Sequence, residues 1–220
     1  MPWLKHGVNR YIPSVIWQPR SQVVETLRNL PSEARVVDLG AGGRRIVPTV
    51  VGVDFAPFEN TRLVSDIHHL AMGDASVDAV FCTGTLEHVE DPSLVMNEIF
   101  RVLRPGGIVH LEVPFAQPFH KDPQDYWRWT LDGLRLFVRQ HGFLEVRSGS
   151  HLGPTSAMNA MFIAYWQSWF RNRYVRKVVD VVLSCLLFPF KYLDAVLVGR
   201  TADMPSAVFV VGRKPVSTQD

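Results

Sequence analysis

The stretch Val36–Gly43, which reads Val-Val-Asp-Leu-Gly-Ala-Gly-Gly, constrains the fold more than any other part of the chain. A short apolar run that ends in an acid and breaks into closely spaced glycines is typical of a buried parallel strand that opens onto a ligand-binding turn. Glycines accept backbone angles that other residues avoid, and they let a ligand lie against bare main chain. The stretch therefore predicts an α/β sheet with a binding site at this turn.

The acid before the glycines narrows the choice of ligand. A dinucleotide site needs a third glycine where this chain has Arg45, and an acid about 20 residues further on, whereas Asp54 follows sooner. The carboxylate of Asp38 would repel a pyrophosphate but attract an ammonium group, and S-adenosylmethionine (SAM) carries one. We therefore expect Asp38, Gly40 and Gly42 to bind SAM.

Two further predicted strands also end near an acid. The run at 50–54 ends in Asp54, and an acid at the end of the second strand of such a sheet accepts hydrogen bonds from ribose hydroxyls. Asp66 follows a third strand near 62–64, where it is expected to accept a hydrogen bond from the adenine amino group. Ile67 beside it would cover the adenine ring.

The connections that precede the second and third strands are short. Residues 44–49 contain Pro48, and residues 55–61 are similarly few, whereas parallel strands are normally joined by about a dozen residues or more. We therefore predict that the first crossover helices are truncated.

The rest of the chain continues the α/β pattern. Apolar periodicity and capping residues predict helices at about 19–30, 92–103 and 130–141 and strands at 76–82, 108–113, 143–148 and 207–213. A strongly apolar helical insertion occupies residues 155–199, before the last strand.

Five motifs, in this order, resemble those of the class I SAM-dependent methyltransferases. They are Asp-Leu-Gly-Ala-Gly at 38–42, Gly-Val-Asp at 52–54, Val-Asp-Ala-Val at 77–80, Leu-Glu-His-Val at 86–89 and Arg-Val-Leu-Arg-Pro-Gly-Gly at 101–107. The resemblance covers about 36–146 and implies a Rossmann-like seven-stranded sheet of order 3-2-1-4-5-7-6 with the last strand antiparallel. Two features depart from the family pattern: Gly43-Arg44 replaces the usual x-Gly, and the first crossover helix is nearly absent.

The resemblance also implies a set of cofactor contacts. The glycine turn of this chain must differ locally from that of the family, because Gly43-Arg44 replaces the usual x-Gly. Arg44 or Arg45 is therefore expected to reach the methionine carboxylate of SAM. The full expected set is Asp38, Gly40, Gly42, Arg44, Asp54, Phe55, Asp66, Ile67, Thr83 and His88.

The segment after the fifth strand is expected to bind the methyl acceptor. His120–Thr130 resembles the His-x-Asp-Pro-x-Asp-Tyr-Trp-Arg-Phe-Thr loop of a subset of these methyltransferases that serve saccharide or other secondary metabolism, with Trp129 in place of Phe. Loops at the carboxyl ends of parallel strands line the active crevice. Aromatic faces beside acids and amides suit a sugar, so sugar O-methylation is the expected activity. The expected acceptor contacts are Glu87, Tyr126, Trp127 and Arg128.

An alcohol acceptor needs a base, because it is a poor nucleophile until its proton begins to leave. We predict that His120 is this base and that Asp122 or Asp125 orients it, with His88, next to Glu87, as the alternative. The residues His120, Asp122 and Asp125 would also form an oxygen-rich Mg²⁺ site with a substrate diol. A proline-rich turn capped by its own acids explains the same three residues without a metal.

Two alternative functions remain open. The first is a non-catalytic partner in a biosynthetic assembly that has kept the SAM fold. The truncated crossover helix would then be a sign that its SAM-binding site has degenerated. A lipid or quinone methyltransferase is favoured if the apolar insertion opens onto the cleft. Nucleic acid is not an expected partner, because the net charge is only +2. The start of the chain lacks the pattern of a signal peptide, and the two cysteines are far apart, so a cytoplasmic protein is expected.

A single domain is expected over residues 1–220, with 1–30 as an N-terminal lid and helix. The aromatic segment 1–18 would either close the cleft or pack on the sheet. The insertion at 155–199 would cover the sheet, form a homodimer face, or touch a membrane surface. Membrane contact would use the basic residues Arg171, Arg173, Arg176 and Lys177. A transmembrane span is not expected, because polar residues and a proline interrupt the apolar run.

Overall fold

The strands are Val36–Leu39 (β1), Val51–Asp54 (β2), Thr61–Val64 (β3), Val77–Thr83 (β4), Leu103–Pro114 (β5), Leu144–Leu152 (β6) and Ala207–Arg213 (β7) in a computed structural model that describes residues 21–43, 46–120, 124–197 and 203–216. They form one seven-stranded sheet with the order β3-β2-β1-β4-β5-β7-β6. Strands β1 to β5 pair in parallel with one another. The amide of Gly106 donates to the carbonyl of Lys214, and the amide of Lys214 donates to the carbonyl of Gly107, each over 2.9 Å. These bonds join the start of β5 to the end of β7, so β7 runs antiparallel. The predicted Rossmann-like sheet is confirmed.

The helices begin where the sequence supplies caps. Asp91 accepts hydrogen bonds from the amides of Ser93 and Leu94 at the start of α2, and Thr130 accepts from the amide of Gly133 at the start of α3. The helices are Ser21–Arg28 (α1), Pro92–Val102 (α2), Leu131–Gln140 (α3), Pro154–Ser168 (α4), Arg173–Leu187 (α5) and Asp194–Leu197 (α6). Short 3-10 helices lie at Leu86–His88 and Phe188–Leu193.

The first two crossovers contain no helix in their described residues, 40–43, 46–50 and 55–60. The glycine turn is instead bonded directly to β2, because the amides of Gly40 and Ala41 both donate to the carbonyl of Val53, over 2.9 and 3.3 Å. The prediction of truncated crossovers is therefore confirmed.

Strand β5 begins five residues earlier than the sequence pattern indicated. Leu103 already pairs with Val77 of β4, and the register then shifts before Ala79 pairs with Ile108. Residues 104–107, which precede the expected strand, thus lie inside it as an irregularity, with Gly106 at a positive φ of 81°.

The central strands are buried on both faces, as strands of a parallel sheet should be. Val37 and Leu39 of β1 contribute to a large apolar cluster on one face, whereas Val36 packs with Phe81 of β4 on the other face. Because β1 and β4 pair in parallel within this core, their carboxyl ends lie at the same edge of the sheet.

The chain divides into two compact units, each with its own internal contacts. The described residues of the larger unit lie within 20–115, 119–149 and 208–220, and those of the smaller unit lie within 116–118 and 150–207. The expected lid at 1–18 lies outside the described residues. The single-domain organisation remains a prediction.

The smaller unit contains the expected helical insertion, with α4, α5 and α6. Asp194 is fully buried and holds the start of α4 to α6, because its carboxylate accepts hydrogen bonds from the amides of Thr155 and Ser156, over 2.9 and 2.8 Å. Among the described residues, no helix combines the length and the apolar character that crossing a bilayer requires.

Candidate functional site

The glycine turn after β1 has one packed glycine and one open glycine. Gly40 has a φ of 69°, and a Cβ there would lie only 2.3 Å from Oγ1 of Thr85. Gly42 has a φ of 52°, and no described heavy atom lies within 4 Å of the place where its Cβ would be. Gly40 is thus required by packing, whereas Gly42 presents bare main chain to a ligand.

Asp54 at the end of β2 links this turn to the strand. Its Oδ2 accepts a hydrogen bond from the amide of Gly42 over 2.7 Å, and its Oδ1 accepts one from the amide of Phe55 over 2.8 Å. A carboxylate oxygen has two lone pairs, so each oxygen can still accept a hydroxyl donor. The buried carboxylate therefore fits the expected contact with ribose hydroxyls and also fixes the turn.

Asp38 at the end of β1 is buried and borders a cavity of about 120 Å³. The cavity also contacts the glycine turn at Ala41 and the neighbouring strand at Gly52. Its other lining residues are Ile46, Val50, Glu59, Asn60 and Arg62. The carboxylate thus lies beside the turn, where the expected contact with an ammonium group requires it. Arg44 and Arg45 lie outside the described residues.

Asp66, after β3, is held by a neighbour that the sequence analysis did not assign. Its Oδ1 accepts a hydrogen bond from the amide of His68 over 2.9 Å and lies 2.8 Å from Nδ1 of the same residue. The hydrogen bonds from the main chain and the imidazole of His68 lower the pKa of Asp66, so its side chain is an anionic acceptor at neutral pH. The side chain is 64% exposed, and Ile67 beside it is partly buried.

The loop expected to bind the acceptor, within residues 120–130 and called the acceptor loop below, is hydrogen-bonded to the segment that follows β4. The amide of Tyr126 donates to the carbonyl of Glu87 over 2.7 Å, and Nε1 of Trp127 donates to the carbonyl of Val89 over 2.8 Å. The hydroxyl of Tyr126 donates to Glu90 over 3.0 Å. The polar atoms of both rings hold the loop, while Tyr126 and Trp127 remain 46% and 41% exposed, which leaves ring surface for an acceptor.

Asp125 and Arg128 form a bidentate ion pair inside this loop. The two terminal guanidinium nitrogens of Arg128 donate to the two carboxylate oxygens, with 2.6 Å between Nη2 and Oδ2. The amide of His120 donates to the same Oδ2 over 3.0 Å. The hydrogen bonds from Arg128 lower the pKa of Asp125 to about 2. Arg128 therefore holds the loop together, and its expected contact with the acceptor remains a prediction. Asp122 lies outside the described residues.

The two histidines expected as alternative bases both face the same carboxylate oxygen of Glu87. Oε1 of this carboxylate is 3.5 Å from Nε2 of His120 and 3.8 Å from Nε2 of His88. The imidazole rings meet edge to face with centroids 5.1 Å apart, and Glu87 is only 2% exposed. The ligand atoms of the three side chains lie within 4.8 Å of one another, which makes them a candidate metal-binding group.

Sequence reasoning named all three residues but did not bring them together. His88 and Glu87 follow β4, and His120 follows β5, and these two strands pair in parallel. Because parallel neighbours end at the same edge of a sheet, this pairing was the signal that could have united the three.

Thr83, the last residue of β4, is buried at the same edge of the sheet. Phe55 is 69% exposed just after Asp54, where its ring can cover a nucleoside. The expected cofactor contacts in the described residues thus all lie at or just after the carboxyl ends of β1 to β4.

Comparison with known proteins relates the chain to methyltransferases. A family described as a methyltransferase domain matches residues 43–111. The chain is 27% identical over 158 residues to a ubiquinone biosynthesis O-methyltransferase of Pseudomonas fluorescens strain Pf0-1, an alignment that covers 59% of this chain and 65% of that protein. The chain thus spans slightly less than two thirds of this relative.

Solved structures share the fold at low sequence identity. A phosphoethanolamine N-methyltransferase of Haemonchus contortus, bound to S-adenosylhomocysteine, gives a TM-score of 0.58 at 15% identity, covering 88% of this chain and 52% of that one. The cyclase SpnF gives a TM-score of 0.55 at 16% identity, covering 90% and 82%. Likeness at these identities shows the fold alone.

Proposed function

We propose that the chain is a class I SAM-dependent methyltransferase that transfers the methyl group of SAM to a hydroxyl oxygen of a small acceptor. The observation that carries this proposal is the group of Glu87, His88 and His120, which gathers proton-accepting atoms beside an aromatic loop. The strand ends that would hold SAM belong to the same sheet edge.

The strand-end residues fit SAM. Asp54 would accept the ribose hydroxyls, and Asp66 would accept the adenine amino group. Asp38 would attract the ammonium group, and the open main chain at Gly42 would let the cofactor approach closely. SAM supplies a methyl carbon already activated by the positive sulfur, so the protein mainly has to align the acceptor and remove its proton.

The proposed reaction is an in-line displacement. An acceptor oxygen forms a bond to the methyl carbon, the carbon–sulfur bond breaks, and its electron pair stays on sulfur. The hydroxyl proton passes to the group around Glu87. We keep His120 as the proposed base, because Asp125 lies 3.6 Å from its Nδ1 and can orient the ring. His88 is the alternative.

The favoured acceptor is a saccharide. The half-exposed rings of Tyr126 and Trp127 offer apolar faces, and nearby carboxylates and imidazoles offer partners for hydroxyls. A phenolic quinone precursor is the second candidate, because the Pseudomonas relative is named a ubiquinone biosynthesis O-methyltransferase.

The deciding experiment has two stages. Calorimetric titration with SAM comes first, because a degenerate SAM fold that serves only as a partner should not bind it. Transfer of labelled methyl from SAM is then measured on a panel of saccharides and a panel of phenols. Transfer to saccharides supports the favoured acceptor, and transfer to phenols alone replaces it. SAM binding without transfer to any hydroxyl compound would refute O-methylation.

The helices of the smaller unit carry a surface that we propose as an interaction site. These helices expose large apolar side chains together with a basic stretch at 171–177. The exposed aromatic residues are Phe162, Tyr165, Trp166, Trp169, Phe170 and Tyr174. Phe190 and Tyr192 of the same unit are exposed as well. We propose that a second copy of the chain covers this surface. Light scattering gives the oligomeric state, and co-sedimentation with anionic vesicles would instead indicate membrane contact.

A further inference from the structure

We propose that Glu87, His88 and His120 bind a divalent transition-metal ion. The site was not expected in this form, because the sequence pointed to His120 with Asp122 and Asp125. In the structure, Asp125 is engaged by Arg128, whereas Glu87 and His88 face His120.

The distances suit a single ion. Bonds of about 2.0–2.1 Å in a tetrahedron place ligand atoms roughly 3.3–3.4 Å apart. Oε1 of Glu87 lies 3.5 Å from one imidazole nitrogen and 3.8 Å from the other. The third side of the triangle, between the two imidazoles, is within 4.8 Å, so small side-chain rotations close the site.

The protonation of His88 leaves a lone pair aimed at a carboxylate. Nδ1 of His88 is hydrogen-bonded to the carbonyl oxygen of Gln124, which can only accept, so Nδ1 carries the proton. In the neutral ring, Nε2 is therefore an acceptor, and it faces Oε1 of Glu87. A metal cation between these two facing acceptors would bind both of them.

Glu87 has a further unsatisfied atom. Its Oε2 is buried and has no hydrogen-bond partner among the described residues. Buried polar atoms are normally paired, and leaving one unpaired is costly. A bound cation would compensate for this cost, which makes Glu87 the central ligand.

The contacts of Nδ1 of His120 suit the site both with and without a bound ion. Nδ1 lies 3.6 Å from Oδ2 of Asp125 and 3.5 Å from a guanidinium nitrogen of Arg128. An ion at Nε2 would place the ring proton on Nδ1, toward Asp125, and ligating histidines commonly donate in this way to a carboxylate. Without the ion, Nε2 can carry the proton toward Glu87.

The donor set selects the class of ion. Two imidazoles and one carboxylate suit zinc and its first-row neighbours, whereas Mg²⁺ prefers oxygen ligands. Three protein ligands leave a coordination position open, as in catalytic metal sites. Resting on the proposed function, we assign that position to the acceptor hydroxyl, whose proton a bound ion would make easier to remove. His120 would then act as a ligand in place of a free base, and the hydroxyl proton would pass to solvent water, because the His120 side chain is 41% exposed.

The test is Zn²⁺ titration of chelator-stripped protein, without SAM or acceptor. The parent should bind one equivalent. Glu87→Gln and His120→Ala should each weaken binding more than roughly 100-fold, since even the outer partners of ligands are worth 10–100-fold. His69→Ala, which removes an exposed histidine outside the group, should bind like the parent. Circular dichroism checks the fold of each variant.

Two outcomes would overturn the site: a parent that binds no Zn²⁺, or Glu87→Gln and His120→Ala variants that bind it like the parent. The second would show adventitious binding elsewhere. Methyl transfer by a parent that binds no metal would remove this inference and leave the proposed function intact. Zn²⁺ binding at the group without any methyl transfer would keep the site and remove the function.

Discussion

Two buried carboxylates at the same sheet edge, Asp54 at the end of β2 and Glu87 after β4, have opposite surroundings. Both oxygens of Asp54 accept main-chain amides, from Gly42 and Phe55. Glu87 has one oxygen that faces two imidazoles and one without a hydrogen-bond partner among the described residues. Asp54 thus fixes the turn that is proposed to receive the cofactor, whereas Glu87 has bonding capacity left for the proposed ion.

The largest expected effect comes from the group around Glu87. His120→Ala should reduce methyl transfer about 10²–10⁴-fold, because the acceptor loses either its base or a ligand of the ion that activates it. SAM binding should be unchanged. Turnover and SAM affinity are measured for His120→Ala and His88→Ala side by side. If His120→Ala keeps near-parental turnover while His88→Ala loses it with SAM still bound, the base is His88.

The second prediction concerns Asp54, the carboxylate bonded to main-chain amides. Asp54→Ala should weaken SAM binding by on the order of 1.5–3 kcal/mol, or roughly 10–150-fold, because the ribose hydroxyls lose charged acceptors. The amides of Gly42 and Phe55 also lose their acceptor, so the unfolding midpoint should fall. Calorimetry and thermal unfolding give both numbers. Parental SAM affinity in a folded variant would show that Asp54 is structural only.

The third prediction concerns the carboxylate that supports His120. The pKa of Asp125 is about 2 in the folded protein, below the ordinary aspartate value of 3.8 that applies to the unfolded chain, so its ionised form stabilises the fold above pH 4. This contribution, about 2 kcal/mol, is lost as the pH falls from about 4 to 2. Arg128→Gln removes the partner that lowers the pKa.

The free energy of unfolding is therefore measured for the parent and Arg128→Gln between pH 5 and 2. The difference between them should be largest at pH 5 and should shrink as Asp125 takes up a proton. A constant difference across this range would mean that the ion pair with Arg128 does not lower the pKa of Asp125.

The smallest effect is expected at the exposed end of the cofactor site. Asp66→Ala should weaken SAM binding by about 0.5–1.5 kcal/mol, or up to roughly tenfold, since its carboxylate is largely in water. A SAM analogue that lacks the adenine amino group provides the control, because it should bind parent and variant equally. An equal loss for SAM and the analogue would place Asp66 away from the amino group.

Much of the fold could be predicted from local sequence patterns. Apolar runs ending in Asp38 and Asp54 predicted the first strands, Asp91 and Thr130 predicted helix starts, and the few residues between strands predicted the missing crossover helices. These features depend on neighbours in the chain, so the sequence displays them directly. The early start of β5 was missed, because it depends on pairing with β4.

The sequence by itself determined which chemical groups stand at the sheet edge, because strand ends and their acids are local features. Only the tertiary structure decided their partners. It added Arg128 as a partner of Asp125, which still lies beside His120, and it placed His120 against Glu87, a residue that the sequence had not joined to it. The physical reason is that parallel pairing of β4 and β5 brings together loops that are distant in the chain, and side-chain contacts between such loops leave no periodic trace in the sequence.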